Sequence, residues 1–191
     1  YTLMCHEAVP GHNMQGDIQV RQKSGPQFRA VTGYVAFGEG WALYAESLCK
    51  EMNAFPDIAA DFMRLDAELF RAARLVVDTG LHAKRWSREQ AIQWFATTNG
   101  STVEEVQGEV DRYCSWPGQA CGYKVGHTTI NTLRTKAQKA MGTHYDFRRF
   151  NDAVVMAGGD MVFNTIANVT LNVGHPRNSA DNWVRDRKSV V

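Results

Sequence analysis

The chain has 191 residues, 44% of them hydrophobic and 21% charged, enough apolar material for the core of one domain. A formal charge of +1 gives no electrostatic reason to expect nucleic acid or an anionic membrane as partner. No apolar run approaches the roughly 18–20 residues needed to cross a bilayer, and no signal-peptide pattern opens the sequence.

The first residues, Tyr1-Thr2-Leu3-Met4-Cys5-His6, include no initiator methionine and reach the strongest motif at once. A metal-binding helix ordinarily has supporting structure ahead of its first ligand. The sequence therefore reads as a fragment, whose upstream part supplies further helices and part of a substrate cleft. From there the periodicity is helical nearly throughout, which predicts an all-α fold. Residues 31–52 read as one helix and 57–81 as another, the latter with Phe62, Leu65, Leu69 and Ala72 at spacings of three and four. Ser87 with Gln90 predicts a capped start for a helix over 88–97, and Ser101 with Glu104 another over 102–114. Trp116-Pro117-Gly118 breaks the pattern, and a helix over 119–141 ends at Gly142. Asp146 to Ala157 and Met161 to Leu171 complete the set. Residues 1–173 are expected to form the helical catalytic region, and 174–191 a polar tail over the surface. Cys5, Cys49, Cys114 and Cys121 fall in no metal-knuckle spacing. They read as four thiols, with a Cys114–Cys121 disulfide as the alternative.

The segment His6-Glu7-Ala8-Val9-Pro10-Gly11-His12 combines two imidazoles with a carboxylate. Neutral imidazole is a preferred zinc ligand, and catalytic zinc keeps three protein ligands and one open position. Histidines four apart share a face of a helix. These are six apart, and an unbroken helix would turn the rings about 120° away from each other. Pro10-Gly11 resolves the conflict if the helix carrying His6 and Glu7 ends or bulges before His12. Glu39, 27 positions on and flanked by Gly38 and Gly40, is the candidate third ligand; those glycines would let its backbone approach the first helix. Glu46, seven residues later on the same face, is placed to hydrogen-bond a ligand histidine and fix its ring. His127, His144 and His175 read as non-ligands.

The blocks HEAVPGH, FGEGWALYAE, RAARLVVDTGLH, EVDRYCSWPGQACGYKVG and FRRFNDAVVMAGG resemble, in this order, those of domain-of-unknown-function family 885. The resemblance runs from residue 1 to about 172. The family is similar to a distant branch of the HExxH zinc peptidases, nearest to helical carboxypeptidases and oligopeptidases of the thermostable-carboxypeptidase and thimet types. It implies a helical, cleft-forming, zincin-like fold, a long helical region ahead of the motif, and a secreted or lipid-anchored bacterial protein. The chain departs from the family pattern at Asn13, where a further histidine is usual, at Asn151 in Phe150-Asn151-Asp152, and at Asp160-Met161-Val162. These departures leave the expected ligands and base untouched.

The expected activity is zinc-dependent hydrolysis of short peptides, carboxypeptidase-like if an arginine binds the substrate carboxylate, with one zinc ion on His6, His12 and Glu39. The metal acidifies a bound water and Glu7 takes its proton, then returns it to the leaving amine. The negative charge that develops on oxygen needs a further donor, for which Tyr123 is the first choice and Tyr113 the second. His82, at a helix end, is a candidate for the cleft. Arg112 and Arg134 are candidates to bind a substrate carboxylate, with Tyr113 beside them, while Arg71 and Arg74 read as ion-pair partners within the bundle. A zinc amidase acting on a non-peptide amide and a non-catalytic binding protein are the competing functions.

Overall fold

The structure, a computed structural model, describes residues 1–21 and 33–158. The fold is all-α, with no strand among the described residues. The helices are α1 (Thr2–Glu7), α2 (His12–Arg21), α3 (Val35–Glu51), α4 (Ile58–Ala83), α5 (Arg88–Asn99), α6 (Val103–Ser115), α7 (Gln119–Met141) and α8 (Phe147–Ala157), with a 3₁₀ turn over Gly142–His144. The expected helix over 161–171, the polar tail and His175 lie outside the described residues.

Local chemistry sets most boundaries. Asp57, Ser87 and Asp146 each cap a helix by accepting a backbone N–H three residues on. The start of α6 is displaced by one residue from expectation. Its reciprocal capping box is Thr102 with Glu105, because the Ser101 hydroxyl accepts the Asn99 side-chain amide instead. At the Trp116-Pro117-Gly118 break, the Gly118 N–H donates to the buried Asp78 carboxylate at 3.0 and 3.1 Å, which pins the start of α7 to α4.

Among the described residues two apolar clusters form the core, and α7 belongs to both. Phe37, Trp41, Tyr44 and Leu48 of α3 pack with Ile130, Leu133 and Ala137 of α7 and with Phe150 and Val154 of α8. Val77 of α4, Phe95 of α5 and Val106, Val110 and Tyr113 of α6 pack with Ala120, the second residue of α7. Helices α3 and α7 approach so closely at Gly40 and Gly126 that a Cβ on Gly40 would lie 2.4 Å from the Gly126 Cα. That contact corrects the expected role of the glycines around Glu39. Gly40 admits α7 rather than the first helix, and Gly38 faces open space.

The long α4 also differs from expectation. Phe62, Leu65 and Leu69 are exposed, and the face turned inward is Ala73, Arg74, Val77, Asp78 and Gly80. Spacing identified an apolar row, but the side turned into the described fold is another, on which polar Arg74 and Asp78 find partners. A disulfide joins Cys5 of α1 to Cys49 of α3, Cα atoms 6.3 Å apart, while Cys114 and Cys121 are free thiols. This corrects both readings of the cysteines; partners 44 residues apart meet only through the tertiary fold.

Candidate metal centre

Helix α1 stops at Glu7, the chain turns through Val9-Pro10-Gly11, and α2 begins at His12. The turn is very tight. A Cβ on Gly11 would lie 1.8 Å from the His6 carbonyl oxygen, so only glycine lets the chain fold back over the end of α1. The Trp41 indole donates to the Pro10 carbonyl at 2.8 Å and holds this turn against α3. The disulfide at Cys5, next to His6, fastens α1 to the same helix.

These devices bring His6, His12 and Glu39 together, with one donor atom from each lying within 4.8 Å of the others. His6 Nε2 is 3.4 Å and His12 Nε2 3.2 Å from Glu39 Oε2. Two zinc ligands at tetrahedral angles are separated by about 3.3 Å, so the donor spacing fits a small divalent cation. Glu46 accepts from the other nitrogen of His6, Nδ1, at 2.7 Å, which leaves Nε2 turned toward Glu39. The second carboxylate oxygen, Glu46 Oε2, is buried with no hydrogen-bond partner among the described residues.

The electrostatics favour positive charge at this point. Burial opposes protonation of His6, but hydrogen bonds to Glu39 and Glu46 outweigh it and raise the imidazole to about 9. The hydrogen bond to Glu39 also raises His12. Burial alone would raise Glu39, yet its bonds to His12 and His6 bring it down to about 2. A divalent cation would replace the protons that these carboxylates otherwise hold on the two rings.

Other expected site residues fall near or far. Glu7 is exposed at the end of α1 and follows His6 directly in the chain. Tyr123 of α7 is buried and stacks on His6, ring centroids 6.2 Å apart, and its hydroxyl is engaged by no described residue. The remaining candidates are not brought there. The Tyr113 hydroxyl accepts from Arg74 at 2.6 Å and donates to Glu109 at 2.8 Å, so its polar end is committed. Arg112 is bound to Glu109 at 2.6 Å. Arg134 forms a two-pronged pair with Glu51 at 2.6 and 2.7 Å and lies over Phe147. His82 is exposed and donates to the Tyr113 backbone carbonyl at 2.9 Å. Of the family departures, Asn13 is exposed on α2, and Asn151 accepts the Tyr44 hydroxyl at 2.9 Å; Asp160-Met161-Val162 lies outside the described residues.

One expectation is reversed beside the site. Arg74 pairs with Glu109 as expected, but Arg71 pairs with no described carboxylate. Its guanidinium carbon lies 5.8 Å from the Tyr123 ring centroid, one Nη donates to the Ala67 carbonyl at 3.4 Å, and Nε is buried without a partner among the described residues. Sequence gave little signal for this, because an arginine on a helix is usually a solvated or ion-paired one.

The chain matches a solved structure described as "the putative lipoprotein from Colwellia psychrerythraea" at 41% identity and a TM-score of 0.82, over 97% of this chain and 30% of that one. A second, "a putative lipoprotein of unknown function from Shewanella oneidensis", is 24% identical with a TM-score of 0.78, over 89% of this chain and 31% of that one, and shows the shared fold. The chain thus spans under a third of the length of these solved chains. No curated protein matches it. Residues 1–162 match the family described as "Bacterial protein of unknown function (DUF885)", and the chain belongs to that family.

Proposed function

We propose that this chain is the catalytic part of a zinc-dependent peptidase. The observation that carries the reading is the convergence of His6, His12 and Glu39 on one point, with Glu46 behind His6. Helix packing has no need of two imidazoles and two carboxylates there. A zinc ion held by the three donors would supply a polarised carbonyl and an acidified water. Glu7, exposed beside His6, accepts the proton of the attacking water and delivers it to the leaving amine. The Tyr123 hydroxyl, free of described partners, donates to the oxygen on which negative charge develops.

The relatives described as lipoproteins, together with a disulfide at the site, support a place in an oxidising bacterial envelope. No described helix is long and apolar enough to cross a membrane. The exposed row Phe62, Leu65 and Leu69 on α4 is where further chain of the longer protein packs in this reading, closing a cleft over the site. Metal analysis and peptide hydrolysis by the full natural chain test the assignment. Stoichiometric zinc at neutral pH is expected, and Glu7→Gln should retain it while losing turnover. Absence of zinc would overturn the proposal, and full activity in Glu7→Gln would remove the general base.

A further inference from the structure

A cavity of about 520 Å³, a volume suited to a small ligand, lies beyond the candidate metal centre and meets it through Glu46. Glu46, which holds His6, is part of its wall, and so are Arg71, Asn99, Phe70 and Met63. Five buried side-chain atoms among the described residues have no hydrogen-bond partner, and three of them belong to residues lining this cavity: Glu46 Oε2, Arg71 Nε and Asn99 Oδ1. A buried polar group left unpaired costs roughly 1–3 kcal/mol, so the Arg71 donor and the Asn99 acceptor beside a void point to a ligand that satisfies both.

The chemistry of that ligand follows from the groups. Arg64, Arg74, Arg112 and Arg134 each already hold a carboxylate. Arg71 does not, and neither Glu46 nor Asp66, which share its cavity, lies within ion-pairing distance. Its Nε and second Nη remain for a planar anion, and a carboxylate fits that fork with two parallel bonds. The Asn99 amide is oriented by donating to Ser101 at 2.9 Å, which leaves Oδ1 to accept an N–H. Phe70, Met63 and Ala67 give the cavity an apolar wall.

Resting on the peptidase reading above, we propose that this cavity is the C-terminal residue site of a carboxypeptidase. Arg71 binds the terminal carboxylate, Asn99 Oδ1 accepts an amide N–H of the peptide, and the apolar wall receives the last side chain. Asp66 disfavours an acidic residue there. The arginine and the His6 ring both lie against Tyr123, which keeps the anchored end close to the donors. Hydrolysis breaks the last peptide C–N bond and forms C–O from water. The water's proton passes through Glu7 to the departing amine of the released amino acid.

The test uses the full natural chain, zinc-loaded, with two N-blocked dipeptides ending in leucine, one a free acid and one an amide. The expected kcat/KM favours the acid by roughly 10- to 150-fold, the value of a hydrogen-bonded charge pair. Arg71→Gln should remove that preference by slowing the acid alone, and Arg71→Lys should restore part of it. Equal, measurable rates on acid and amide in the unsubstituted protein would overturn the inference whether or not the variants fold. So would an Arg71→Gln that slows both peptides alike. Calorimetry of the same two peptides on the Glu7→Gln protein reads the anchor without turnover. Acid-selective binding lost in Glu7→Gln/Arg71→Gln, in a protein that never cleaves, would refute the peptidase reading and keep the carboxylate site; no selectivity would refute the site itself.

Discussion

Replacing Gly11 by alanine tests how the two histidines are brought to one point. The added Cβ would meet the His6 carbonyl oxygen at 1.8 Å, the His6 carbonyl carbon at 2.4 Å and the Cys5 oxygen at 2.5 Å. A carbon–oxygen contact ordinarily needs about 3.3 Å, so the turn has to open by about 1.5 Å. All three obstacles are backbone, and none can rotate aside. Metal sites tolerate displacements of only about 0.2 Å, so His12 leaves the coordination distance of His6 and Glu39. Losing a contact that merely orients a ligand already weakens metal binding about 10- to 100-fold, and displacing the ligand itself should exceed that. Zinc affinity measured by chelator competition, below the variant's unfolding temperature, should fall at least about 100-fold. Gly16→Ala on α2 is the control, because its Cβ meets nothing within 4 Å. It should keep full affinity and gain about 0.4–1 kcal/mol of stability. Gly11→Ala with wild-type zinc affinity would refute the argument that this turn sets the ligand geometry.

Two further outcomes follow from the same structure. Replacing Cys5 and Cys49 by serine removes a link across 44 residues, worth about 4 kcal/mol of unfolded-state entropy by loop length, and should lower the urea midpoint and the zinc affinity together. An unchanged midpoint would show that the link does not fasten α1. Stability should also fall with acid between about pH 6.5 and pH 4 through His127. Burial, reinforced by the charge of Lys124, holds this imidazole down to about 4 against the opposing pull of Glu68. The unfolded chain therefore takes up a proton near 6.5 that the folded chain refuses until about 4, and the stability present above pH 6.5 is lost across that interval. His127→Gln, compared by urea titration at pH 7 and pH 5, should show a smaller loss than the unsubstituted protein; an equal loss would place the acid sensitivity elsewhere.

The residues now gathered at the donor cluster were legible because their chemistry conflicts with plain helix packing. Six-residue histidine spacing makes sense only with a break, and Pro10-Gly11 announces one locally. Helix α7 was legible end to end because glycines at 118 and 142, both at positive φ, punctuate it. What could not be read was non-local. The Cys5–Cys49 pair, the approach of Gly40 to Gly126, and the inward face of α4 depend on which helices become neighbours. Phe62, Leu65 and Leu69 illustrate the limit: a periodic apolar row shows that a helix has a buried side, but not which body of chain buries it. The arginine beside the site was misread for a related reason, since pairing is a property of the space around a side chain. Arg134 and Arg71 look alike in sequence, and only the fold gives one of them Glu51.

The molecule separates the parts that hold geometry from the parts that still lack partners. Around the donors, elements are tied by a covalent link, a tight backbone turn and side-chain-to-backbone hydrogen bonds: the disulfide to α1, the Gly11 turn to the end of α1, Trp41 to Pro10, and Asp78 to the start of α7. Such contacts fix positions to fractions of an ångström, which a metal centre requires. The unsatisfied atoms lie on the neighbouring wall, on Glu46, Arg71 and Asn99. Their burial opposes stability, and nothing in the described fold repays it. A fold that spends rigid contacts on three donor atoms and leaves an arginine fork open beside them is arranged for a ligand with a polar, anionic end. The same division explains why Arg71→Gln is expected to leave the fold standing: it removes an unpaired buried Nε and no described ion pair, at the loss of one ring contact with Tyr123.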